Sequence, residues 1–420
     1  MQKLKNPLFI VFCIVFVDVL GIGILIPVIP ILLTDPSSPY HLLTPGTTLA
    51  TGFILLGWLT ALYPFMQFLA TPILGELSDR FGRKPVLAIS LFGTAISYVV
   101  FALGIMMKSL PILFLSRALD GITGGNISVA QAAIADSSAP EKRARNFGII
   151  GAAFGIGFVV GPFLGGVLSD PEVLPWFDAT TPFWFAAVLS LLNTLGVLFL
   201  FNETLKEKVA GRFHWLQSLV NIRKAALMQG VRRLFAASFL FQAGFSFFTT
   251  FFGAYMIYRF GFEQRDIGYY FAFIGICIAL TQAFVTGFVG KRFSPHTIVS
   301  VGLLGVTLTV LSFSLVTESW MLYVVGFFQA ISMGLVMANM TALISRSATP
   351  QQQGEVLGIG FSVQALAQSI PPVIAGYAAA SLAPSAPIMV GSGFLFLAFL
   401  VFVFFARGAS HAISGHGKNA

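Results

Sequence analysis

The chain has 420 residues, of which 56% are hydrophobic and only 10% are charged, and its mean hydropathy is +0.88. A water-soluble protein of this size carries about 25% charged residues, so a soluble enzyme or binding domain is excluded. The formal net charge of +8 would by itself suit a nucleic-acid partner. The positions of the basic residues explain that charge in another way.

Apolar segments of the length that crosses a bilayer, ~20 residues, follow one another along the whole chain. The sequence predicts twelve such spans, near 7–33, 49–73, 86–107, 110–135, 146–169, 182–201, 233–257, 267–289, 296–317, 320–344, 355–380 and 386–406. The longest interruption, 202–232, is amphipathic and basic. We therefore predict a six-span bundle over 1–201, a cytoplasmic linker over 202–232, and a six-span bundle with a short cytoplasmic tail over 233–420.

The distribution of Lys and Arg gives the orientation, because loops on the cytoplasmic side of a membrane protein are enriched in these residues. If the N-terminus is cytoplasmic, only Lys108, Arg259 and Arg265 lie outside, and Arg117 lies within a span. The basic charge is thus a topology signal and requires no nucleic acid. We expect an integral membrane protein with both termini in the cytoplasm.

The two halves resemble each other in sequence. Pro162 recurs as Pro372 and Gly166 as Gly376 at one common displacement. Two parallel six-span halves, with a binding site near the bilayer midplane between them, form a transporter architecture.

The loop between spans two and three contains Gly75, Asp79, Arg80, Gly82 and Arg83, followed by Lys-Pro. The glycines permit a tight turn and close helix approach. Asp79 can cap a helix start or pair with a basic residue across this face, holding the face closed in one state. The alternative is an ordinary solvated basic loop.

Span five carries Gly157, Gly161, Pro162, Gly165 and Gly166 within ten residues. Small residues four apart let helices touch backbone to backbone, and proline kinks a span and frees a carbonyl group. Simple helix packing is the alternative interpretation of this pattern.

These two motifs resemble the signature loop of the major facilitator superfamily and the antiporter motif of its drug:proton exporters. The runs 18–30, 117–125 and 134–148 are similar to those of tetracycline-efflux proteins. The resemblance implies an all-α membrane protein with the major-facilitator fold, twelve transmembrane helices in two pseudo-symmetric six-helix bundles. It implies proton-coupled efflux of small amphiphilic compounds, with the proton gradient as energy source and no cofactor.

Only Asp18, Arg117 and Asp120 place charges well inside predicted spans. A charge at a helix centre costs about 2.5–3.5 kcal/mol even on the lenient insertion scale, so such residues usually serve function. Arg117 and Asp120, three residues apart, share a helix face, and the resemblance places Asp18 opposite them. We expect one carboxylate to carry the coupling proton, with Asp18 as the main carrier. The alternative for the other two is a permanent ion pair that orders span four.

Polar and aromatic residues at helical spacing are candidates for the cavity wall, although each is equally able to serve in helix packing. They are Tyr63, Gln67, Asn126, Gln131, Gln242, Phe245, Ser246, Thr249, Gln329, Met333, Gln364 and Gln368. They favour a lipophilic substrate with polar edges.

Several other chemistries have no support in the sequence. Cys13 and Cys277 lie in apolar runs, and no metal-ligand cluster or nucleophile–base pair is evident, so we expect no metal site and no catalysis. Spans three and nine lack the acidic residues of the tetracycline exporters, which places tetracycline in doubt as substrate. A metabolite exporter or symporter, for a siderophore or a sugar, remains the alternative function. We expect a monomer.

Overall fold

The computed structural model describes residues 7–138, 143–205, 207–208, 217–228, 231–347 and 353–405, and these residues contain helices and no strand. The helices are α1 (Pro7–Thr34), α2 (Leu49–Phe81), α3 (Arg83–Met106), α4 (Leu110–Thr123), α5 (Ile127–Ser137), α6 (Arg143–Val167), α7 (Thr181–Leu200), α8 (Gln217–Leu227), α9 (Arg232–Phe260), α10 (Gln264–Leu280), α11 (Thr286–Gly290), α12 (Pro295–Phe313), α13 (Ser319–Arg346), α14 (Gln353–Ser369), α15 (Pro371–Ser381) and α16 (Ala386–Leu400).

Ten helical segments of the described residues are long and apolar enough to cross a membrane alone. Spans four and eleven of the sequence prediction are each built from two shorter helices. A 3₁₀ turn, Gly124–Asn126, joins α4 to α5, and α14 gives way to α15 at Pro371 and Pro372. Proline donates no backbone N–H, so the helix ladder is interrupted there.

The loop that the sequence predicts after span two is mostly helical in the structure. Helix α2 continues to Phe81, so Gly75 and Asp79 are helical, and the turn is confined to Gly82, whose φ is +115°. Only glycine adopts this conformation without strain, and α3 begins at the next residue.

The spans form the two pseudo-symmetric six-helix bundles that the sequence predicts, α1–α7 in one and α9–α16 in the other. Large apolar side chains such as Ile89, Phe199 and Leu315 face outward with about three quarters of their surface exposed (73%, 77% and 76%). Such exposure suits a lipid-facing surface.

The two bundles meet closely at one end of the molecule. We call the end where α1 begins the amino-terminal face and the other end the opposite face. Near the opposite face, a Cβ added at Gly166 of α6 would lie 2.7 Å from the Gln264 carbonyl oxygen of α10. One added at Gly376 of α15 would lie 2.8 Å from the Phe53 carbonyl oxygen of α2. These glycines therefore permit backbone contact between the bundles.

Nearer the amino-terminal face, glycines of α6 and α14 make no such contact. A Cβ added at Gly148, Gly151 or Gly155 of α6, or at Gly358 of α14, would meet no described atom within 4 Å. The close backbone contacts between the bundles are thus found near the opposite face.

Candidate transport cavity and charged cluster

A cavity of about 1320 Å³, including its mouth, lies between the bundles. Its walls come from α1, α2, α4, α5 and α6 on one side and α9, α14 and α15 on the other. The polar candidates that line it are Tyr63, Gln67, Arg117, Ser246, Thr249, Gln364 and Gln368, and Phe245 joins them. Among the described lining residues, Arg117 alone carries a charge. The lining is otherwise mainly apolar, which suits an amphiphilic ligand.

The remaining candidates lie elsewhere. Gln329 and Met333 line a smaller pocket that adjoins the cavity. Asn126, Gln131 and Gln242 are described, but they are not among the residues that line either space. Asn126 is completely buried, beside Asp18.

Arg117 and Asp120 form an ion pair on α4, with 2.6 Å between Nη1 and Oδ2. Both residues are almost completely buried, at 4% and 3% exposure. The Arg117 guanidinium also lies 4.6 Å from the centre of the Tyr63 ring, a cation–π distance. Its Nε has no hydrogen-bond partner in the described structure. Arg117 therefore retains one unused donor at the cavity wall.

Asp18 of α1 is equally buried, at 3% exposure, but neither of its carboxylate oxygens has a hydrogen-bond partner among the described residues. The Asn126 amide is near enough to interact with Asp18 without forming a well-aligned hydrogen bond, and the Asp120 charge acts on it as well. The structure thus brings Asp18, Arg117 and Asp120 together as the charged cluster, as the sequence predicts. The proton-carrying role of each carboxylate stays a prediction.

Two tyrosines pack around the charged cluster. The Tyr63 hydroxyl accepts a 3.0 Å hydrogen bond from Gln67 Nε2, which also donates to the Gly124 carbonyl at 2.9 Å in the 3₁₀ turn. Tyr98 of α3 fills the space over Gly21 of α1, where a Cβ would overlap its hydroxyl. Tyr98 was not among the site residues predicted from the sequence, because one tyrosine in an apolar span gives no periodic signal.

The sequence matches the family model described as Major Facilitator Superfamily over residues 11–317 and again over 234–418.

The chain belongs to the major facilitator superfamily.

It is accordingly a membrane transporter of the alternating-access fold. The class C tetracycline resistance protein of Escherichia coli is 35% identical to it over 374 residues, 89% of each chain. The class D protein of Salmonella ordonez is 32% identical over 373 residues, 88% of this chain and 89% of that one. The crystal structure of the human organic anion transporter MFSD10 (TETRAN) is similar in fold, with a TM-score of 0.71 and 24% identity over 95% of this chain and 99% of that one.

The superfamily's signature loop is organised around Arg83, which is 6% exposed although it lies at the membrane edge. Its guanidinium pairs with Asp79 at 2.5 Å and with Asp136 of α5 at 3.0 Å, and it donates to the Ser78 hydroxyl at 2.6 Å. Asp79 therefore pairs within its own bundle and caps no helix. Arg80 is exposed and lies 5.5 Å from the centre of the Phe81 ring.

Glu203, just after α7, also binds this loop. The sequence gives no local signal for this contact. Its carboxylate accepts from the backbone N–H groups of Arg83 and Lys84 at 2.9 and 3.1 Å, at the start of α3. It also accepts from Leu205 and Thr204. Partial burial alone would raise the pKa of Glu203, but these four hydrogen bonds outweigh burial and lower it.

The glycines of the antiporter motif are all in close contact. Cβ atoms added at Gly161 and Gly165 would lie 2.6 and 2.5 Å from carbonyl oxygens of α1, and one at Gly157 would lie 3.0 Å from Val19. Gly166 instead contacts α10 of the other bundle. Pro162 packs its ring near Gly23. The motif joins α6 to α1 and to the other bundle; its part in antiport stays a prediction.

An ion-pair cluster connects the bundles at the opposite face. Arg265, at the start of α10, lies 3.0 Å from Asp170 and 2.8 Å from Glu172, both in the segment after α6. Asp170 is mostly buried, and Glu172 is exposed. The sequence placed Arg265 outside but gave no partner, because its partners belong to the other half of the chain.

Proposed function

We propose that this protein exports small amphiphilic compounds in exchange for protons that move inward. The observation that carries the proposal is Asp18, a buried carboxylate without a hydrogen-bond partner among the described residues, next to an ion pair at the cavity wall. The relatives named for tetracycline resistance support efflux by a chain of this family.

The free energy of burying charge explains how Asp18 would work. A charged carboxylate deep in a span costs about 2.5–3.5 kcal/mol on the lenient scale, and a bound proton removes that charge. When the bundles move and Asp18 meets water or Arg117, the charged form is stabilised and the proton leaves. Each proton that moves down the membrane potential supplies about 2.3 kcal/mol per 100 mV.

The orientation that we propose has the amino-terminal face in the cytoplasm, which follows the Lys and Arg bias of the loops. In this orientation the cavity would collect its substrate from the cytoplasm when the bundles separate at that face. The cytoplasmic membrane of a bacterium, a monomeric state, and separate bundles over 1–201 and 233–420 joined by 202–232 belong to the same proposal.

The substrate that we propose is an amphiphile other than a cationic metal chelate. Helices α3 and α12 contain no Asp or Glu, unlike the corresponding spans of the tetracycline exporters that the sequence resembles.

A second candidate, transport of organic anions, is favoured by Arg117 as the charged residue of the cavity wall. The similarity in fold to a human organic anion transporter agrees with it but shows the fold alone.

The test is transport by the full chain in proteoliposomes under an imposed pH gradient. The panel contains neutral, cationic and anionic amphiphiles, tetracycline, and a sugar. We expect wild-type protein to accumulate amphiphiles only while the gradient lasts, and Asp18→Asn to accumulate none. Gradient-independent accumulation of every compound would exclude antiport, and accumulation of the sugar alone would favour the metabolite transporter.

A further inference from the structure

The amide of Asn126 is a buried polar group at the charged cluster that the ion pair does not explain. Its side chain is completely buried, and neither its amide nitrogen nor its amide oxygen has a hydrogen-bond partner among the described residues. Buried amides are nearly always hydrogen-bonded, because an unpartnered one costs free energy. Asp18, whose two carboxylate oxygens lack partners as well, lies beside it. Four unpartnered polar atoms therefore meet between α1 and the 3₁₀ turn of span four.

The 3₁₀ turn determines where Asn126 lies. Gln67 Nε2 of α2 donates to the Gly124 carbonyl in this turn at 2.9 Å. A Cβ added at Gly125 would lie 2.9 Å from the backbone nitrogen of Thr71, also in α2. Because the two glycines let the turn pack directly on the α2 backbone, the backbone of Asn126 is held in place and its side chain meets α1.

An amide suits a carboxylate that changes its charge. Asn126 can donate through its amide nitrogen to the charged form of Asp18 and accept through its amide oxygen from the protonated form. Arg117 only donates, and it already pairs with Asp120. Asn126 can thus give Asp18 a hydrogen bond before and after proton uptake, and it transfers no proton itself.

The other charged or titratable groups around Asp18 come from three helices. They are Arg117 and Asp120 of α4, Tyr63 of α2 and Tyr98 of α3. Residues 127–135, 146–167 and 181–200, from α5, α6 and α7, contain no titratable side chain. A substitution at Asn126 leaves all of these groups in place, so its effect on Asp18 reports on the amide.

We propose that Asn126 is a positioning residue for the proton carrier and hydrogen-bonds Asp18 in both its charged and its protonated form. The inference rests on the proposed function, in which Asp18 binds and releases the coupling proton. The charged form gains more from the amide, because hydrogen bonds to ionised groups are roughly twice as strong as those between neutral groups.

The test is infrared spectroscopy of the full-length protein in lipid, titrated with pH in the absence of any transported compound. The carbonyl stretch of protonated Asp18 is the band that titrates in the wild type and is missing in Asp18→Asn. Asn126→Leu keeps a similar volume and removes both polar atoms. It should raise the midpoint of the Asp18 band by about one pH unit, a tenfold change in proton affinity, because the charged form loses the stronger bond. The band should also move to higher frequency, since the protonated form loses its acceptor.

Asn126→Ser and Asn126→Ala separate hydrogen bonding from packing, and they replace Asn126→Leu if that variant does not fold. They differ by one hydroxyl, which donates and accepts as the amide does, so Asn126→Ser should shift the midpoint less than Asn126→Ala.

Asn193→Leu is the matched control. Asn193 of α7 is also a buried amide, and it donates to the Cys13 backbone carbonyl of α1 at 3.2 Å, more than one helical turn before Asp18. This variant should leave the Asp18 band at its wild-type midpoint and frequency.

Four results would overturn the proposal. They are a wild-type protein without a titrating Asp18 band, an unchanged band in Asn126→Leu or Asn126→Ala, equal shifts in Asn126→Ser and Asn126→Ala, and a shift in Asn193→Leu as large as that in Asn126→Leu.

The same preparations, assayed for gradient-driven transport, separate this inference from the proposed function. Gradient-driven transport by the wild type together with an Asp18 band that does not respond to Asn126→Leu would overturn the positioning role alone. A responsive band in a protein without gradient-driven transport would support the pairing of Asn126 with Asp18 and contradict the proposed function.

Discussion

The two bundles differ most in what they bury. Among the described residues, every charged side chain that is buried belongs to the first bundle and its adjoining loops, and the charged cluster is at its centre. The second bundle has instead a core of stacked and tilted rings, the aromatic cluster, in which Phe252 lies 4.4 Å from Phe248 and 4.7 Å from Phe313 between ring centres.

This difference indicates that the two bundles serve different functions. A proton needs a carboxylate whose charge state changes, which the first bundle offers, and an amphiphile needs apolar and aromatic surface, which the second offers. Coupling would then pass through the relative motion of the bundles, since no residue needs to bind both.

The largest effect is expected at Asp18. Asp18→Asn should lose all gradient-driven accumulation, because the amide neither binds nor releases the coupling proton. Exchange of labelled for unlabelled substrate without a gradient should remain, because the cavity wall is unchanged. Proteoliposome counterflow measures this exchange.

Glu318→Gln is the control, since it removes one negative charge at an exposed position outside the cluster. It should behave like wild type in both assays. Gradient-driven accumulation by Asp18→Asn would contradict the assignment of the proton to Asp18.

Breaking the Arg117–Asp120 ion pair should cause a large loss of stability in the first bundle. Arg117→Met leaves Asp120 buried without its partner, and breaking a buried pair costs about 3–5 kcal/mol of unfolding free energy. The double variant Arg117→Met/Asp120→Leu should recover most of this loss, because no isolated charge remains. Denaturant unfolding in detergent compares the two variants. Equal destabilisation of the single and double variants would contradict the view that the unpaired buried charge causes the loss of stability.

Substitution in the second bundle should alter affinity and leave coupling intact. Phe245→Leu removes ring contact from the cavity wall, and the Michaelis constant should rise about three- to tenfold, the effect of losing roughly 1 kcal/mol of ring contact. The pH dependence of transport should not move. A shifted pH profile would contradict the proposal that the second bundle binds the substrate without taking part in proton coupling.

Much of this architecture follows from the sequence alone. The twelve spans and the two bundles were predictable because long apolar runs are strong signals, and the charges of Asp18, Arg117 and Asp120 stand out within those runs. The position of Asp18 opposite the other two was implied by the family resemblance. The extension of α2 to Phe81 was missed, since the polar residues 75–80 resemble a loop when helix packing is unknown.

Pairing across distant parts of the chain was not predictable. Glu203 caps α3 at Arg83, 120 positions earlier in the chain, and Arg265 meets Asp170 across the bundle interface. No local periodicity encodes such contacts.

The contact between the bundles at the opposite face should resist opening. Arg265→Gln removes the cation between Asp170 and Glu172, and a partly exposed pair is worth up to about 1 kcal/mol, or roughly a fivefold change in the ratio of open to closed forms. Spin labels at Leu174 and Tyr258, in a background without the native cysteines, would report the separation by electron paramagnetic resonance. Arg259→Gln is the control on the same face. An unchanged distance distribution in Arg265→Gln would show that glycine packing alone keeps this face closed.

The smallest effect is expected at Glu203. Its pKa is lowered in the folded protein, so its contribution to stability is present above the unfolded pKa, about 4.3, and is lost as pH falls through the folded value. Glu203→Gln should cost about 1 kcal/mol near neutral pH, typical of a helix N-terminal cap, and should remove this part of the acid dependence. Unfolding measured at several pH values tests it, and an unaltered acid dependence would contradict the assigned cap.

Proton release on substrate binding shows whether Asp18 gives up its proton when the transported compound binds. Purified protein in weakly buffered detergent solution is mixed with a compound that the proteoliposome panel has shown to be transported, and a pH-sensitive dye records the change. Wild-type protein should release protons, and Asp18→Asn, saturated with the same compound, should release none. Equal release by Asp18→Asn would contradict the exchange of proton for substrate at Asp18.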